Sequence, residues 1–143
     1  MSIEIRSAEV TDAAAVARLS GMFGYAPDVA AHSERLVRLL SRADHAVWVA
    51  EAEGRIAGWL HACQQLALES GGFAEILGLV VDEQLRSHGI GAALLRTAEQ
   101  WAGTQGQRSI RVRSNTARER AHQFYLREGY VATKRQQVFS KTL

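Results

Sequence analysis

Ile3 and Ile5 alternate with polar neighbours at the period of two expected of a half-buried strand, and Thr11 or Asp12 can cap a helix whose apolar side holds Val16, Leu19 and Met22. Gly24-Tyr25-Ala26-Pro27-Asp28 breaks that pattern, after which Leu36, Val37, Leu39 and Leu40 give a second helix an apolar side up to about Ser41. Ala46 to Ala52 and Arg55 to Leu66 are β-branched and aromatic runs separated by Glu53-Gly54, so an antiparallel hairpin is expected there. Glu69-Ser70-Gly71-Gly72 leads into Phe73 to Val81, an almost unbroken apolar run of the kind that fills a central strand covered on both faces. Glu75 is the anomaly inside it.

From Gly89 to about Gln105, Ile90, Leu94, Leu95, Ala98 and Trp101 recur at helical spacing, and Gly103 and Gly106 offer places to stop. Ile110 and Val112 alternate with Arg111 and Arg113 in a further strand, and Asn115 or Thr116 can cap a helix from about Ala117 to Glu128 that ends at Gly129. Tyr130 to Lys134 and Gln137 to Leu143 read as two closing strands. The pattern predicts a mixed α/β scaffold, with no repeat or linker to divide residues 1–143 into more than one domain.

Composition narrows the setting. Of the 143 residues 47% are hydrophobic and one is proline, which suits a packed core. No run reaches the roughly 18 apolar residues of a membrane span, and Met1 to Arg6 lacks the apolar centre of a signal peptide, so a cytoplasmic protein without membrane attachment is expected. The single cysteine, Cys63, can form neither an internal disulfide nor a typical zinc site, and the five histidines, His32, His45, His61, His88 and His122, show no metal-ligand spacing. No metal is expected. Net charge is only +2, although Arg108, Arg111, Arg113, Arg118, Arg120 and Arg127 crowd one stretch that could meet phosphates or be a solvated basic face. No recognition helix or aromatic RNA-binding signature accompanies them, which argues against a nucleic-acid partner.

The segment Val80-Val81-Asp82-Glu83-Gln84-Leu85-Arg86-Ser87-His88-Gly89-Ile90-Gly91-Ala92 joins the central strand to the best helix. The first N–H groups of a helix lack intrahelical partners and lie at the positive end of its dipole, and glycines let an anion come close. The segment is not a Walker loop, because Ala92 and Ala93 stand where Lys and Ser or Thr would follow, and it lacks the three glycines of a dinucleotide fingerprint. Arg86-x-x-Gly89-x-Gly91-Ala92 instead resembles the coenzyme A loop of the GNAT superfamily of N-acetyltransferases. Asn115, followed by Ala121-x-x-Phe124-Tyr125-x-x-x-Gly129-Tyr130, is similar to that superfamily's second recurring segment.

The resemblance implies a GNAT fold, with a mixed sheet of six to seven strands splayed in the middle and about four flanking helices. It further implies acetyl-CoA as cosubstrate, transferred directly to a primary amine in a ternary complex. Its pyrophosphate would sit on Arg86, Ser87, His88, Gly89, Ile90, Gly91 and Ala92. The pantetheine would enter the splay beside Leu79, Val80 and Val81, with Leu79 and Val81 as backbone donors, and near Asn115 and Phe124. Asn115 could equally be a helix cap. Tyr125 corresponds to the tyrosine that lies near the coenzyme sulfur in many relatives and can protonate the leaving thiolate, with thiol positioning or plain core packing as its alternatives. Glu75, in a word similar to one that carries a catalytic glutamate in the superfamily, is the candidate base. Its bland alternative is a sheet-end carboxylate paired with an arginine.

Trp59 and His61, which share one side of a strand, and Tyr25, in the loop after the first helix, are candidate acceptor contacts. The acceptor is a small-molecule or peptide amine; protein N-termini, lysines, aminoglycosides and polyamines stay open, as does a homodimer. The tail after Gly129 resembles small bacterial members likened to aminoglycoside acetyltransferases. A coenzyme-binding or sensing module without turnover is the alternative; it would keep the loop but not need Glu75 or Tyr125.

Overall fold

The structure, a computed structural model, describes residues 1–22, 24 and 26–143. By its internal contacts the chain divides into two compact units, Met1–Val112 and Arg113–Leu143. Among the described residues the first unit holds five strands, β1 Ile3–Ser7, β2 His45–Ala52, β3 Arg55–Ala67, β4 Gly71–Val81 and β5 Ile110–Val112, in one sheet of that order. Neighbours from β1 to β4 are antiparallel, whereas β5 lies parallel to β4, as a helical crossover between them requires. That crossover is α3, Ile90–Thr104; α1, Ala13–Gly21, and α2, Val29–Leu40, occupy the stretch between β1 and β2.

Both early helices form, but not with the expected cap: Asp12 stands at the N-cap of α1 without a side-chain bond to it, its carboxylate accepting instead from Arg6 and the Glu9 N–H. Asp28 caps α2 by accepting the Ala31 N–H at 2.9 Å. Glu53 and Gly54, both with positive φ (56° and 72°), turn β2 into β3. Ile90, Leu94, Leu95 and Ala98 are buried on one side of α3, and each of the three larger ones contributes about 1.5–3 kcal/mol relative to an exposed position. Gly58 allows that packing: a Cβ there would stand 3.2 Å from both Ile90 and Leu94 and 2.9 Å from the Val80 carbonyl. Because consecutive strand residues point to opposite faces, Trp59 lies on the other side. There it packs against Ala8, Ala13, Val16, Leu36, Val47 and Val49, the core beneath α1 and α2.

Some expectations are corrected. The apolar side read for α2 is narrower than it looked, since Leu36 is buried while Val37 and Leu40 are exposed. The sheet has five strands among the described residues, not six to seven. Residues 131–143, where two closing strands were expected, are all exposed and belong to neither helix nor strand. Alternation alone cannot make a strand, whose N–H and C=O groups need a neighbour to pair with.

The second unit holds α4, Glu119–Arg127. Neither Asn115 nor Thr116 caps this helix, whose N-cap is Arg118 without a side-chain bond. The Asn115 Oδ1 instead accepts the Ala117 N–H at 2.9 Å in the turn before it, and the Asn115 carbonyl accepts the Arg118 N–H at 3.0 Å and lies 2.8 Å from His122 Nε2. Phe124, Tyr125 and Tyr130 stack edge to face, with successive ring centroids 5.2 and 5.7 Å apart.

Candidate functional site

β4 ends at Val81, and Asp82 opens a single 3-10 turn, Glu83–Leu85, that leads to Arg86. The backbone is left-handed at Ser87 (φ 68°) and again at Gly89 (φ 84°), the N-cap of α3. A non-glycine residue in that region carries about 1–3 kcal/mol of strain, and such strain gathers where a loop must aim its backbone. The Ala93 N–H bonds the Gly89 carbonyl at 3.0 Å, so the amides of Ile90, Gly91 and Ala92 precede the helix's own ladder. The Gly89 cap supplies no side chain to them, and the first turn contains no acidic residue. Arg86, whose guanidinium lies 3.8 Å from the Glu83 carboxylate, adds a cation to this loop. The arrangement can hold an anion on backbone donors at the positive end of a 15-residue helix.

Beside it the sheet opens. β4 and β5 are paired only at Ala74–Ile110, Glu75–Arg111 and Ile76–Val112, while β4 runs on to Val81 in register with β3 alone. An extra residue, Leu77, interrupts the β3–β4 register where the β5 pairing stops, because His61 faces Gly78 and Ala62 faces Ile76.

At this level a row of polar groups crosses the sheet. His45 on β2 is opposite Cys63 on β3, Cys63 is opposite Glu75 on β4, and Glu75 is opposite Arg111 on β5. Directly opposed residues share a face, and His61 joins them by alternation along β3. Glu75 is 4% exposed. It accepts from Arg111 Nε at 3.1 Å and from Gln65 Nε2 at 3.1 Å, and the Arg111 guanidinium also lies 3.9 Å from the centre of the Phe73 ring. His45 Nδ1 and His61 Nε2 are 2.9 Å apart with the rings stacked, so one of the two nitrogens carries the shared hydrogen. Burial first, then the neighbouring His45, pushes His61 down to about 4, which keeps it neutral at pH 7. Burial, then the negative charges of Glu75 and Asp44, pushes the Cys63 thiol up and away from nucleophilic thiolate.

The structure thus brings Glu75 and His61 onto one sheet face, with Trp59 on the same side of β3. Leu79, Val80 and Val81 lie on the part of β4 that β5 leaves unpaired, and Arg86 to Ala92 form one loop and helix start. Tyr25 lies outside the described residues. Tyr125, Phe124 and Asn115 belong to the second unit, where burial pushes the Tyr125 phenol up and the Arg118 charge opposes the shift. Sequence reasoning missed His45, whose only signal is the register that sets it against Cys63. It also missed Asp82, which reads as a loop residue yet is 1% exposed. Among the described residues no group of three His, Cys, Asp or Glu could hold a metal ion, and no helix is long and apolar enough to cross a membrane.

The family model for the GNAT acetyltransferases matches residues 15–130, which takes in both units and every element of the loop and the polar row. The chain belongs to the GNAT acetyltransferase family. A curated relative of this GNAT protein, the aminoalkylphosphonate N-acetyltransferase of Salmonella typhimurium, is 37% identical over 78 residues, a match that spans 54% of this chain and 51% of the relative. Among solved structures, the aminoglycoside N-acetyltransferase AAC(6')-Iy in complex with CoA superposes with a TM-score of 0.89 at 18% identity, over 99% of this chain and 96% of that one. An aminoglycoside acetyltransferase from an uncultured soil metagenomic sample, in complex with sisomicin, has a TM-score of 0.78 at 25% identity and covers 99% of this chain and 96% of its own. The GNAT fold is therefore shared along the length of the chain.

Proposed function

We propose that this GNAT protein is an N-acetyltransferase that binds acetyl-CoA and passes the acetyl group directly to a primary amine in a ternary complex. The observation that carries the reading is the open N-terminus of α3, preceded by Arg86 and two left-handed residues, beside a stretch of β4 whose outer edge is unpaired. The pyrophosphate would take the amides of Gly89 to Ala92. The pantetheine would complete the backbone pairing at Leu79 and Val81, which a buried strand edge otherwise lacks. Its thioester would then lie toward Glu75, one residue before the β4–β5 pairing ends at Ile76, and His61, which faces Gly78 from β3 just beyond that end. The raised Cys63 thiol supports transfer without a covalent enzyme intermediate.

The acceptor in this reading is a small-molecule amine, supported by the aminoalkylphosphonate and aminoglycoside acetyltransferases that the chain resembles. Glu75 receives the ammonium proton, directly or through water, and His61 and Trp59 border the amine. The Arg111 contact is the pairing that the structural alternative for Glu75 requires, and turnover of Glu75→Gln decides between the two uses of the carboxylate. Tyr125 supplies the proton for the departing thiolate.

Acetyl-CoA is expected to bind at one molecule per chain in calorimetry. At about 100 times its dissociation constant it stabilises the fold by about 2.7 kcal/mol, a rise in Tm of roughly 5–10 °C. Absence of both signals would remove the reading. For Tyr125→Phe, turnover is expected to fall about tenfold to a hundredfold with the fold retained. Burial raises the phenol, so it is fully protonated below its ordinary value near 10, and the basic limb it governs lies above that value. A basic limb that Tyr125→Phe leaves unchanged contradicts this assignment and leaves the phenol a positioning role only.

A further inference from the structure

Asp82 is the most enclosed charged residue among those described, 1% exposed, and it sits at the hinge between β4 and the loop. Its backbone N–H donates to the Ala57 carbonyl at 2.8 Å, which continues the β3–β4 pairing by one residue. Its Oδ1 accepts the Gln84 N–H at 3.0 Å and its carbonyl accepts the Leu85 N–H at 2.9 Å, so one residue defines the whole 3-10 turn before Arg86. The other carboxylate oxygen, Oδ2, is buried and has no hydrogen bond, but Arg18 Nη1 from α1 and Arg55 Nη2 from the start of β3 each lie 3.6 Å away. Arg18 is itself tied down, since its Nη2 donates to the Ile56 carbonyl at 3.0 Å.

A buried carboxylate with one oxygen left to ion pairs alone is a costly way to hold a turn, because its desolvation is repaid only by charge partners. Leu85, three residues on, buries an apolar side chain from the same turn. What the charge adds is a direct link from the loop to two other elements, α1 and the start of β3, through guanidiniums that themselves reach solvent.

We propose that Asp82, clamped between Arg18 and Arg55, is a positioning residue for coenzyme binding: it fixes the 3-10 turn so that the amides of Gly89 to Ala92 are already aimed at the pyrophosphate. The inference rests on the proposed coenzyme loop. Asp82 does not touch the coenzyme; it removes the ordering that binding would otherwise have to supply.

The test measures acetyl-CoA binding by calorimetry, and kcat with KM for each substrate, on the full chain. Asp82→Asn keeps an acceptor for the Gln84 N–H but discards the charge. Its dissociation constant for acetyl-CoA is expected to rise about tenfold to a hundredfold, while kcat at saturating coenzyme and the KM for the amine stay within about twofold. Arg18→Gln with Arg55→Gln should reproduce that pattern, each single change having a smaller effect because the other arginine still faces Oδ2. Asp12→Asn is the control. Asp12 is also buried, and also gripped by an arginine, with Arg6 at 2.8 and 2.9 Å, but its partners lie at the start of the chain. It should lower Tm and leave coenzyme affinity alone. Wild-type affinity in Asp82→Asn and in the double arginine variant overturns the proposal, as does a loss of kcat with affinity unchanged. Should Asp82→Asn not fold, the arginine pair, 46% and 44% exposed at its side chains, decides the matter. A wild-type protein that does not bind acetyl-CoA overturns the coenzyme reading first and this inference with it.

Discussion

Gly89→Glu is expected to abolish measurable acetyl-CoA binding in a protein that still folds. Nothing lies within 4 Å of a Cβ at Gly89, so the new side chain meets no steric bar from the protein. The left-handed φ of 84° strains any L-residue by about 1–2 kcal/mol, a loss that a domain of ordinary stability survives. The carboxylate also sits at the positive end of α3, where the dipole welcomes it and where the free amides of the first turn can be drawn to it. Those are the donors that the pyrophosphate needs. Competition for them, with a repulsion of about 4 kcal/mol between unit charges 4 Å apart at the effective dielectric of a protein surface, corresponds to an affinity loss of about a thousandfold. Gly89→Ala carries the strain without the charge and should lose only about tenfold. Calorimetry on both variants, with thermal melts to show that the fold persists, separates the two effects. Retained tight binding by Gly89→Glu would place the pyrophosphate elsewhere on the molecule.

The loop was legible in the sequence because its chemistry is local. A strand, a short polar turn, Arg86, two glycines and a periodic apolar run follow one another within about twenty residues, and each has its own pattern. The helix from Ile90 to Thr104 formed within a residue of its expected bounds for the same reason. The polar row is the opposite case. His45, Cys63, Glu75 and Arg111 come from four strands and meet only through register, which a single residue such as Leu77 can shift. Glu75 stood out as a lone charge in an apolar run, yet nothing near it in sequence identifies Arg111 or Gln65 as its partners.

Two kinds of signal were present but unread. Gly58 and Gly78 lie inside strands, where glycine marks a close approach: Gly58 admits α3, and the Trp59 ring lies so near Gly78 that a Cβ there would stand 2.8 Å from it. Asp82 follows an apolar strand as any cap would, and only its three-dimensional partners show that it is enclosed. The closing strands failed in the other direction. Val131, Val138 and Phe139 have the composition of strands and are 78%, 77% and 88% exposed, so propensity without a pairing neighbour was overruled.

Glu75→Gln is the sharper test of the chemistry. Glutamine keeps the shape and can still accept from Arg111 and bond Gln65, but it carries no charge and takes no proton. If Glu75 receives the ammonium proton, single-turnover acetylation at saturating acetyl-CoA should fall roughly 10² to 10⁴-fold, with coenzyme affinity nearly unchanged because the loop lies beyond the end of the strand. The ion pair with Arg111 defines the competing result. A carboxylate whose work is to hold β5 against β4 would, once neutralised, lower Tm and leave turnover near the wild-type value; the contact is with a guanidinium 39% exposed, so solvent limits the stability lost. A carboxylate that only orients the ammonium would raise the KM of the amine while kcat at saturation persisted. Arg111→Met adds the complementary view, since it leaves the carboxylate in place without its partner. Proton transfer to Glu75 then requires that turnover survive better in Arg111→Met than in Glu75→Gln, whereas a purely structural pair requires the two variants to lose stability alike and keep their chemistry.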